Sequence, residues 1–422
     1  VASVISPSGK GDRPEPFEGR SLEIGCCCCN PFKGTVQTLL DKLPDMQFKT
    51  IAITGCTTGT GYTLAMMAAR QRARIICLNR PSSRSEAALA NLKALGADVY
   101  HVDCDLMSFK SVRSAAPKIM EIVGSDGLDV LALNAGIMHL PDIVTEDKFD
   151  MQMQVNQLSH FLLTKLLWSA LNEAANQRGE ARVVVHGSAA MNFDGHTGIA
   201  CACCPHTRGL MPRFFEKHEN GGLGGDGCCS SLTMTCCFAG KTMTRYQQSK
   251  LANFVYAMAL ADKINAAGSK VKAAVVHPGV AITNLVTNGL SGGKGGNKDA
   301  GAKNYIPEFV VPIITNVLMQ STEMGTMPIA TASMVSDVQN GDYYGPGYPC
   351  WPITFWGPAR KRTPEHICVN WHTQKQKDIV WAKCEEAIGE SFTITAGGEG
   401  GAPAVALADV PEAKPTAAME RA

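Results

Sequence analysis

The chain contains 422 residues, of which 45% are hydrophobic and 18% are charged, and its net charge at neutral pH is +1. This composition is typical of a soluble globular protein with a substantial core, and the near-zero net charge gives no indication of a nucleic-acid partner. A membrane-spanning helix needs about 20 apolar residues in succession, and the best candidate, 305–319, is shorter and contains Glu308 and two prolines. The sequence therefore predicts no transmembrane span, and it leaves peripheral contact with a membrane open.

The 17 cysteines are unevenly distributed, with four in the run CCCC at 26–29 and seven more within 201–237. Adjacent cysteines cannot easily reach different disulfide partners, so we expect a reducing intracellular compartment. The sequence begins with Val1, which is compatible with removal of the initiator Met and with removal of a targeting peptide. We therefore expect the cytoplasm or an organelle, such as a plastid or a mitochondrion.

Residues 1–48 form a polar N-terminal extension that ends in a short predicted helix, and a regular alternation of elements begins at residue 49. The predicted strands are 49–54, 73–79, 97–103, 128–134 and 181–187, and the predicted helices between them are 61–71, 85–95, 110–123 and 149–171. Strands with unbroken apolar runs that alternate with helices indicate a parallel sheet covered on both faces. The predicted fold class is α/β, a doubly wound parallel sheet of the Rossmann type.

The second half of the chain interrupts this alternation. Residues 190–242 are rich in Gly and Cys without a clear period, and we interpret them as an insertion in a single domain that spans 49–390. The pattern resumes with a predicted helix at 244–266, a strand at 269–279, a loop at 284–304, helices within 305–337, a short final strand at 340–346 and a closing helix at 372–389. Residues 391–422 form a low-complexity tail.

The segment TGCTTGTG, residues 54–61, follows the first strand and opens the first helix. Its glycines, Gly55, Gly59 and Gly61, permit a tight turn and a close approach of the backbone to a pyrophosphate, and a helix N-terminus supplies free N–H donors. Glycines also occur in ordinary turns, so the spacing alone is weak evidence. In its strand–turn–helix context, the segment predicts a dinucleotide site.

The end of the second strand bears on the choice of dinucleotide. An acidic residue there would bind the ribose 2′-hydroxyl of NAD(H), but Asn79 and Arg80 occupy these positions. Because a guanidinium pairs well with a phosphate, Arg80 favours NADP(H) over NAD(H); the alternative is a solvated Arg at a strand end. Asp105, at the end of the third strand, is assigned to the adenine edge or, alternatively, to the N-cap of the next helix.

Six motifs in order along the chain give it a resemblance to the short-chain dehydrogenase/reductase family. Besides TGCTTGTG, they are LNAGI at 133–137, Asn156 in VNQLSHFLLT, Ser188 after VVVHG, YQQSK at 246–250 and HPGVAIT at 277–283. Within that family the chain is similar to retinol dehydrogenases, the WW-domain oxidoreductase and protochlorophyllide reductase, through YQQSKLAN, HFLLT and NGDYYGP. The resemblance covers about 49–390, apart from the insertion.

The resemblance implies a reaction that moves a hydride to a carbonyl carbon and a proton to its oxygen, or the reverse. Tyr246 would act as general acid or base, and Lys250, one helical turn later, would lower the pKa of the phenol and hold the cofactor ribose. Ser188 would hydrogen-bond the substrate oxygen, and Asn156 would hold a helix open for a water that relays protons. Taken singly, these residues are also compatible with a buried Tyr, a solvated Lys and a capping Ser.

The family also implies a set of cofactor contacts. Asn134 and Gly136 would line the cofactor, Pro278 and Gly279 would shape the nicotinamide pocket, and Thr283 would bind the carboxamide. The complete predicted cofactor-binding set is Thr54, Gly55, Thr58, Gly59, Gly61, Arg80, Asp105, Asn134, Ala135, Gly136, Tyr246, Lys250, Pro278, Gly279 and Thr283.

The insertion separates Ser188 from Tyr246 by 58 positions, so it must loop out if the two side chains are to meet. Its cysteines and histidines, such as Cys201, Cys204 and His218, lack the paired C-x-x-C spacing of structural zinc sites. Buried or idle thiols are therefore favoured over a metal site, and no metal ligand is assigned. The CCCC run has two further interpretations, a lipidation target and a segment that faces a partner.

We therefore expect an NADP(H)-dependent oxidoreductase that acts on a carbonyl or an alcohol. The apolar segments within 305–337 favour a small lipophilic substrate such as a retinoid, a steroid or a pigment. The alternative is a structural or interaction subunit that keeps this fold within a larger assembly, because extensions and insertions of this kind often face partners. A homodimer, or a larger assembly through the extensions, is compatible with both hypotheses.

Overall fold

The computed structural model describes residues 35–138, 140–193, 209–223, 241–279, 281, 320–347, 359–362 and 373–397. Within these ranges, one eight-stranded sheet has the strand order β3-β2-β1-β4-β5-β6-β7-β8. The strands are β1 (Thr50–Thr54), β2 (Arg74–Asn79), β3 (Val99–Asp103), β4 (Val130–Leu133), β5 (Ala181–His186), β6 (Val271–Val276), β7 (Asp342–Pro346) and β8 (Ala359–Arg362). All neighbours from β1 to β7 pair in parallel. The predicted α/β fold with a parallel sheet is confirmed.

Helices cover both faces of this sheet. They are α1 (Thr35–Lys42), α2 (Gly59–Arg70), α3 (Ser83–Ala94), α4 (Phe109–Val123), α5 (Met151–Met153), α6 (Ser159–Leu166), α7 (Trp168–Arg178), α8 (Lys241–Ala267), α9 (Thr322–Met334) and α10 (Gln374–Ile388). Successive strand residues point to opposite faces. In β1, Ile51 and Ile53 therefore pack with α1, α2, α3 and α9, whereas Ala52 packs with α4, α6, α7, α8 and α10. Because both faces are buried, the strands read as unbroken apolar runs.

The sheet has an edge strand that the sequence did not predict. β8 pairs antiparallel with β7, through Tyr343 with Arg362 and Pro346 with Ala359. The strand predicted at 340–346 is confirmed as β7, but the prediction that it is the final strand was wrong. The sequence of β8, ARKR, lacks the apolar alternation on which strand prediction depends, and charged side chains are typical of edge strands.

The single helix predicted over 149–171 is also wrong, because the segment is divided. A π turn at Gln154–Leu158 separates α5 from α6, and Leu167 separates α6 from α7 with φ of −101° and ψ of 7°. The π turn contains Asn156, and such turns are frequent at functional sites. The apolar pattern continues through both interruptions, so periodicity did not reveal them.

Parts of the predicted extensions and of the insertion contribute to the core. Leu40 of α1 is buried, and so are Phe214 and Phe215, which lie in a 3-10 turn at Pro212–Phe215 within the insertion. Beyond α10, Phe392 stacks on Trp381 with a distance of 5.3 Å between ring centroids. Phe214, Phe215 and Phe392 attach their segments to the helical layer that contains α6, α8 and α10, whereas Leu40 packs in the layer on the opposite face of the sheet.

Several predicted features lie outside the described residues: the CCCC run at 26–29, the cysteines within 201–237, the loop at 284–304 and Thr283. Among the helices of the described ranges, none is long and apolar enough to cross a membrane. In the same ranges, no three His, Cys, Asp or Glu side chains are grouped so that they would hold a metal ion.

Candidate active site

The conformation of the loop between β1 and α2 depends on its glycines, which have no Cβ atom. Gly55 and Gly59 have φ of +71° and +62°, in the left-handed region that favours glycine. A Cβ atom on Gly61 would overlap the carbonyl oxygen of Gly55 and the amide nitrogen of Asn134. A Cβ atom on Gly55 would lie 3.0 Å from the Cα of Ala135. The backbone of this loop is therefore compact, and it presents little besides main-chain atoms.

The N-terminus of α2 differs from those of three other helices in the described residues. The N-caps of α3, α4 and α9 are Ser82, Ser108 and Ser321, and each hydroxyl accepts a hydrogen bond from a backbone N–H of the first turn. The N-cap of α2 is Thr58, whose side chain makes no such bond. The first turn of α2 therefore has no side-chain cap, an arrangement that is compatible with a phosphate there and that α10, whose N-cap is Thr373, shares.

Neighbouring strands hold the loop in position. The N–H of Gly55 donates to Leu78 O at 3.0 Å, and the N–H of Cys56 donates to Asn79 Oδ1 at 2.8 Å. From the end of β4, Asn134 Nδ2 donates to Thr54 O at 3.0 Å. Asn79 is therefore buried as a loop support, a role that sequence reasoning missed. The sequence feature that could have indicated this role is an amide side chain at the end of an apolar strand.

Two predicted cofactor contacts lie at the ends of β2 and β3. Arg80 is exposed immediately after β2. Asp105 is half-buried, and its Oδ1 accepts a hydrogen bond from the N–H of Met107 at 3.0 Å. The N-cap of α4 is Ser108, so the alternative interpretation of Asp105 as the cap of that helix is wrong. Asp105 instead closes the turn that precedes the helix.

Ser188 and Tyr246 meet despite the long insertion between them. Ser188 follows β5, Tyr246 lies on α8, and the fold brings the Ser188 hydroxyl close enough to the phenol to lower its pKa. The Tyr246 side chain is buried, with 4% of its surface exposed. Burial raises the pKa of Tyr246 to about 12, and the interaction with Ser188 acts in the opposite direction. The phenol is therefore protonated at neutral pH.

Lys250 is the buried cation of the site. Its Nζ donates to His186 O at 2.9 Å and lies 5.9 Å from the centroid of the Tyr246 ring. Burial lowers the pKa of Lys250 to about 7. The expected lowering of the Tyr246 pKa is not found, because burial of the phenol dominates and the ammonium group is directed at the carbonyl of His186. A Cβ atom on Gly136 would lie 3.2 Å from Lys250 Nζ, so glycine keeps this space clear.

Asn156 connects three parts of the site from within the π turn. Its Oδ1 accepts from Ile137 N at 2.8 Å, and its Nδ2 donates to Ser249 Oγ at 2.8 Å. Its main-chain oxygen accepts a hydrogen bond from Asn253 Nδ2 at 2.6 Å and lies 3.0 Å from His160 Nδ1. The helix is widened at Asn156, as the family resemblance implies, but side chains of this chain already contact the carbonyl group.

Three buried histidines surround this cluster, and sequence reasoning did not assign them. His160 Nε2 lies 3.0 Å from Thr54 Oγ1, and His186 Nδ1 lies 2.9 Å from Asn134 Oδ1. Burial lowers the pKa of His160, His186 and His277 to about 3, and the charge of Lys250 adds to this lowering for the first two. The histidines are therefore neutral at physiological pH. The sequence feature that could have indicated them is a His at the end of each of two apolar strands and a third His within an apolar helix.

Pro278 and Gly279 follow β6 at the same edge of the sheet. Gly279 has φ of +68°, and its N–H donates to His277 Nδ1 at 3.1 Å. Gln320 Nε2 donates to Pro278 O. The segment is thus held close to the end of β6, and Thr283 lies outside the described residues.

Comparison with known proteins agrees with this geometry. The family model for short chain dehydrogenases matches residues 49–202. Human retinol dehydrogenase 13 is 30% identical over 302 residues, which are 70% of this chain and 76% of that protein. The chloroplastic short-chain dehydrogenase TIC 32 A of Brassica napus is 29% identical over 248 residues, 57% of this chain and 66% of that protein. An uncharacterized protein from Mycobacterium paratuberculosis, of known structure, shares the fold with a TM-score of 0.54 and 24% identity, covering 84% of this chain and 98% of that one.

Proposed function

Because the chain belongs to the short-chain dehydrogenase/reductase family and is an oxidoreductase of that family, we propose that it interconverts a carbonyl and an alcohol with NADP(H), with Tyr246 as the acid or base. The observation that carries this proposal is the proximity of Ser188, Tyr246 and Lys250, which the fold brings together across the long insertion. Two side chains that act on the same substrate oxygen must lie close together, and Ser188 and Tyr246 do so in this fold.

The described residues fit a dinucleotide. The uncapped first turn of α2 would hold the pyrophosphate, since the glycines of the loop leave the backbone accessible. Asn134, Ala135 and Gly136 would line the cofactor beside this loop, and Lys250 would reach its ribose. When bound, the nicotinamide ring supplies or accepts the hydride. Exposed Arg80 at the end of β2 supports NADP(H) over NAD(H), because the 2′-phosphate would meet a cation there.

The protonation state of Tyr246 at neutral pH is the one that carbonyl reduction requires. Tyr246 carries its proton there, because burial raises the pKa of its phenol to about 12. It would donate this proton to the carbonyl oxygen of the substrate, while Ser188 would hydrogen-bond the same oxygen and stabilise the charge that develops on it. Lys250, whose pKa is lowered to about 7, would return a proton to Tyr246 or neutralise the negative charge that the phenol carries after it has donated its own.

We propose a small lipophilic substrate. The support is the name of the human relative, a retinol dehydrogenase, together with the apolar composition of 305–337. The location that we propose is intracellular, in the cytoplasm or an organelle, and the chloroplastic relative supports a plastid. A contact with a membrane surface is compatible with such a substrate.

The cofactor is tested by equilibrium binding of NADPH and NADH, followed by nicotinamide fluorescence. We expect tighter binding of NADPH, and we expect Arg80→Ala to weaken NADPH binding about tenfold without affecting NADH, because one charge-assisted contact is lost. Lys93→Ala, which removes an exposed cation near the end of α3, is the control and should leave both affinities unchanged. Binding of neither nucleotide to the wild type would refute the enzyme proposal.

The substrate class is tested by NADPH consumption with all-trans-retinaldehyde and with acetaldehyde. We expect a higher kcat/KM for retinaldehyde, because burial of additional apolar area stabilises the bound substrate. An equal kcat/KM for the two aldehydes would contradict the proposed lipophilic substrate. The proposed interconversion of a carbonyl and an alcohol would then stand without a substrate class.

A further inference from the structure

Tyr246 lies near the N-terminal end of helix α8. α8 begins at Lys241, so Tyr246 belongs to its second turn. The first N–H groups of a helix have no partner within the helix, and helix ends open more readily than helix centres. The position of the phenol therefore depends on contacts that attach these first turns to the rest of the protein.

The side chain that precedes Tyr246 makes such contacts. Arg245 is 1% exposed, its Nη2 donates to Leu140 O at 2.7 Å, and its Nε lies 3.0 Å from Asp150 Oδ2. Asp150 is equally buried. A guanidinium and a carboxylate at this distance attract strongly inside a protein, where water screens them little. The pair joins the start of α8 to the loop that follows β4.

Asp150 has a second role with its other oxygen atom. Oδ1 accepts a hydrogen bond from Met153 N at 2.9 Å, which makes Asp150 the N-cap of α5. α5 continues directly into the π turn that contains Asn156. One carboxylate therefore connects the helix of Asn156 to the helix of Tyr246. Hydrogen bonds from Asn156 Nδ2 to Ser249 Oγ and from Asn253 Nδ2 to Asn156 O connect the same two helices further along α8.

The central part of the insertion, 209–223, is bonded to both sides of this pair. On the side of α8, Met211 N donates to Gln248 Oε1 at 2.9 Å. On the side of the loop after β4, His218 N donates to Lys148 O at 2.9 Å. This segment therefore bridges the two elements that the ion pair joins.

We propose that Arg245 and Asp150 are positioning residues for Tyr246, and that segment 209–223 of the insertion stabilises their pairing. The proposal rests on the proposed function of Tyr246 as the acid or base. A buried ion pair contributes little to net stability, and its replacement by uncharged residues is often tolerated. What the pair provides here is a defined geometry: one arm of the guanidinium fork donates to Leu140 O while Nε faces Asp150, which fixes the direction of the first turns of α8 relative to α5.

The test is amide hydrogen exchange of the full chain, wild type and the double variant Arg245→Met/Asp150→Asn. Asn at position 150 keeps an oxygen that can cap α5, and removal of both charges avoids an unpaired buried ion. We expect exchange of the amides of 245–250 to accelerate about tenfold, whereas exchange in β1 and α2 stays unchanged. We also expect the NADPH affinity to change little, because the loop after β1 is unaltered and Lys250 keeps its hydrogen bond to His186 O.

The control is Asp262→Asn, which removes an ion pair with Lys377 from an exposed face of the same helix. It should leave exchange at 245–250 unchanged. Arg245→Lys should restore part of the protection, since it keeps the charge and loses the fork. Unchanged exchange at 245–250 in the double variant would overturn the proposal, as would an equal acceleration in the control.

Turnover distinguishes this proposal from the one on which it rests. If the wild type reduces retinaldehyde, the double variant should lose about tenfold in kcat with KM for NADPH unchanged, because misplacement of the acid affects the chemical step. If Tyr246→Phe leaves the wild-type rate unaltered, the proposed function fails. The exchange measurement needs no substrate, so it still decides whether the pair orders the helix.

Discussion

The loop after β1 and the cluster around Tyr246 lie at the same edge of the sheet, but they are built from different parts of the chain. The loop is shaped by main-chain atoms, and its glycines leave no room for a Cβ. The cluster is shaped by side chains, such as Asn156 and Lys250, that are buried and hydrogen-bonded. The loop should therefore be sensitive to added atoms, and the cluster to atoms that are removed or change their charge.

The difference follows from what each region is proposed to do. A phosphate is bound well by several backbone N–H groups, which need only an open helix N-terminus. Proton transfer requires specific titratable groups, and these must be buried and oriented to act on one atom. Buried polar groups must also find partners, so the cluster extends to His186 and Ser249, which have no contact with the glycine loop among the hydrogen bonds of the described residues.

The largest effect that would sharpen this comparison is expected for Tyr246→Phe. The change removes only the hydroxyl group, and we expect kcat for carbonyl reduction to fall about 1,000-fold, because a positioned general acid typically contributes 10²–10⁴. The affinity for NADPH should be unchanged, since the loop after β1 is not altered. Steady-state kinetics and nicotinamide fluorescence measure the two quantities.

Tyr256→Phe is the matched control for this change. Tyr256 lies on the same helix and is also fully buried, but it packs in an aromatic cluster with Phe161 and Trp381, away from Ser188. Its kcat should remain close to that of the wild type. A comparable loss of activity in both variants would mean that loss of any buried hydroxyl from α8 lowers kcat, and it would not support Tyr246 as the acid.

An intermediate effect is expected for Gly61→Ala in the loop. The added Cβ overlaps the carbonyl oxygen of Gly55 and the amide of Asn134, so the loop must shift. Overpacking of this kind typically costs about 1–3 kcal/mol, which corresponds to about 5- to 160-fold weaker binding of NADPH if the whole cost falls on the bound state. Equilibrium titration of the variant with NADPH measures the loss.

Gly179→Ala separates this effect from general destabilisation. Gly179 has φ of +86°, and an added Cβ would have no neighbouring atom within 4 Å, so the change strains only the backbone at the end of α7. We expect it to lower the free energy of unfolding by about 1 kcal/mol and to leave NADPH affinity unchanged. Equal affinities for Gly61→Ala and the wild type would contradict the close packing of the loop.

The last effect is on stability rather than on activity or binding, and it concerns the pH dependence that arises from Lys250. Its pKa is about 7 in the folded protein and about 10.4 in an unfolded chain. Between these values the unfolded chain binds a proton at this site that the folded protein does not. The site therefore adds to the free energy of unfolding as pH rises from 7 to 10, by at most about 1.4 kcal/mol per pH unit.

Lys250→Met removes this contribution, so the stability of the variant relative to the wild type should decrease as pH rises from 7 to 10. Urea unfolding at several pH values in this window measures the difference. Parallel curves for the two proteins would show that the ammonium group is not desolvated in the folded state, and the buried charge would then not distinguish the cluster from the loop.

Local patterns were sufficient for the fold class and for naming candidate site residues. The apolar runs predicted β1 to β7, and the glycine spacing predicted the loop, because both depend on neighbours in the sequence. The order of the motifs indicated the family. The same patterns failed for β8, whose residues ARKR carry no apolar alternation, and for the π turn at Asn156, through which the apolar period continues.

The sequence by itself determined which elements form, where glycine is required, and which residues are candidates for the chemistry. Only the tertiary structure decided that Ser188 contacts Tyr246, that Arg245 pairs with Asp150, and that burial rather than Lys250 dominates the pKa of the phenol. The reason is that hydrogen bonds, ion pairs and desolvation depend on distances in space, and the topology of the sheet brings together residues that lie far apart along the chain.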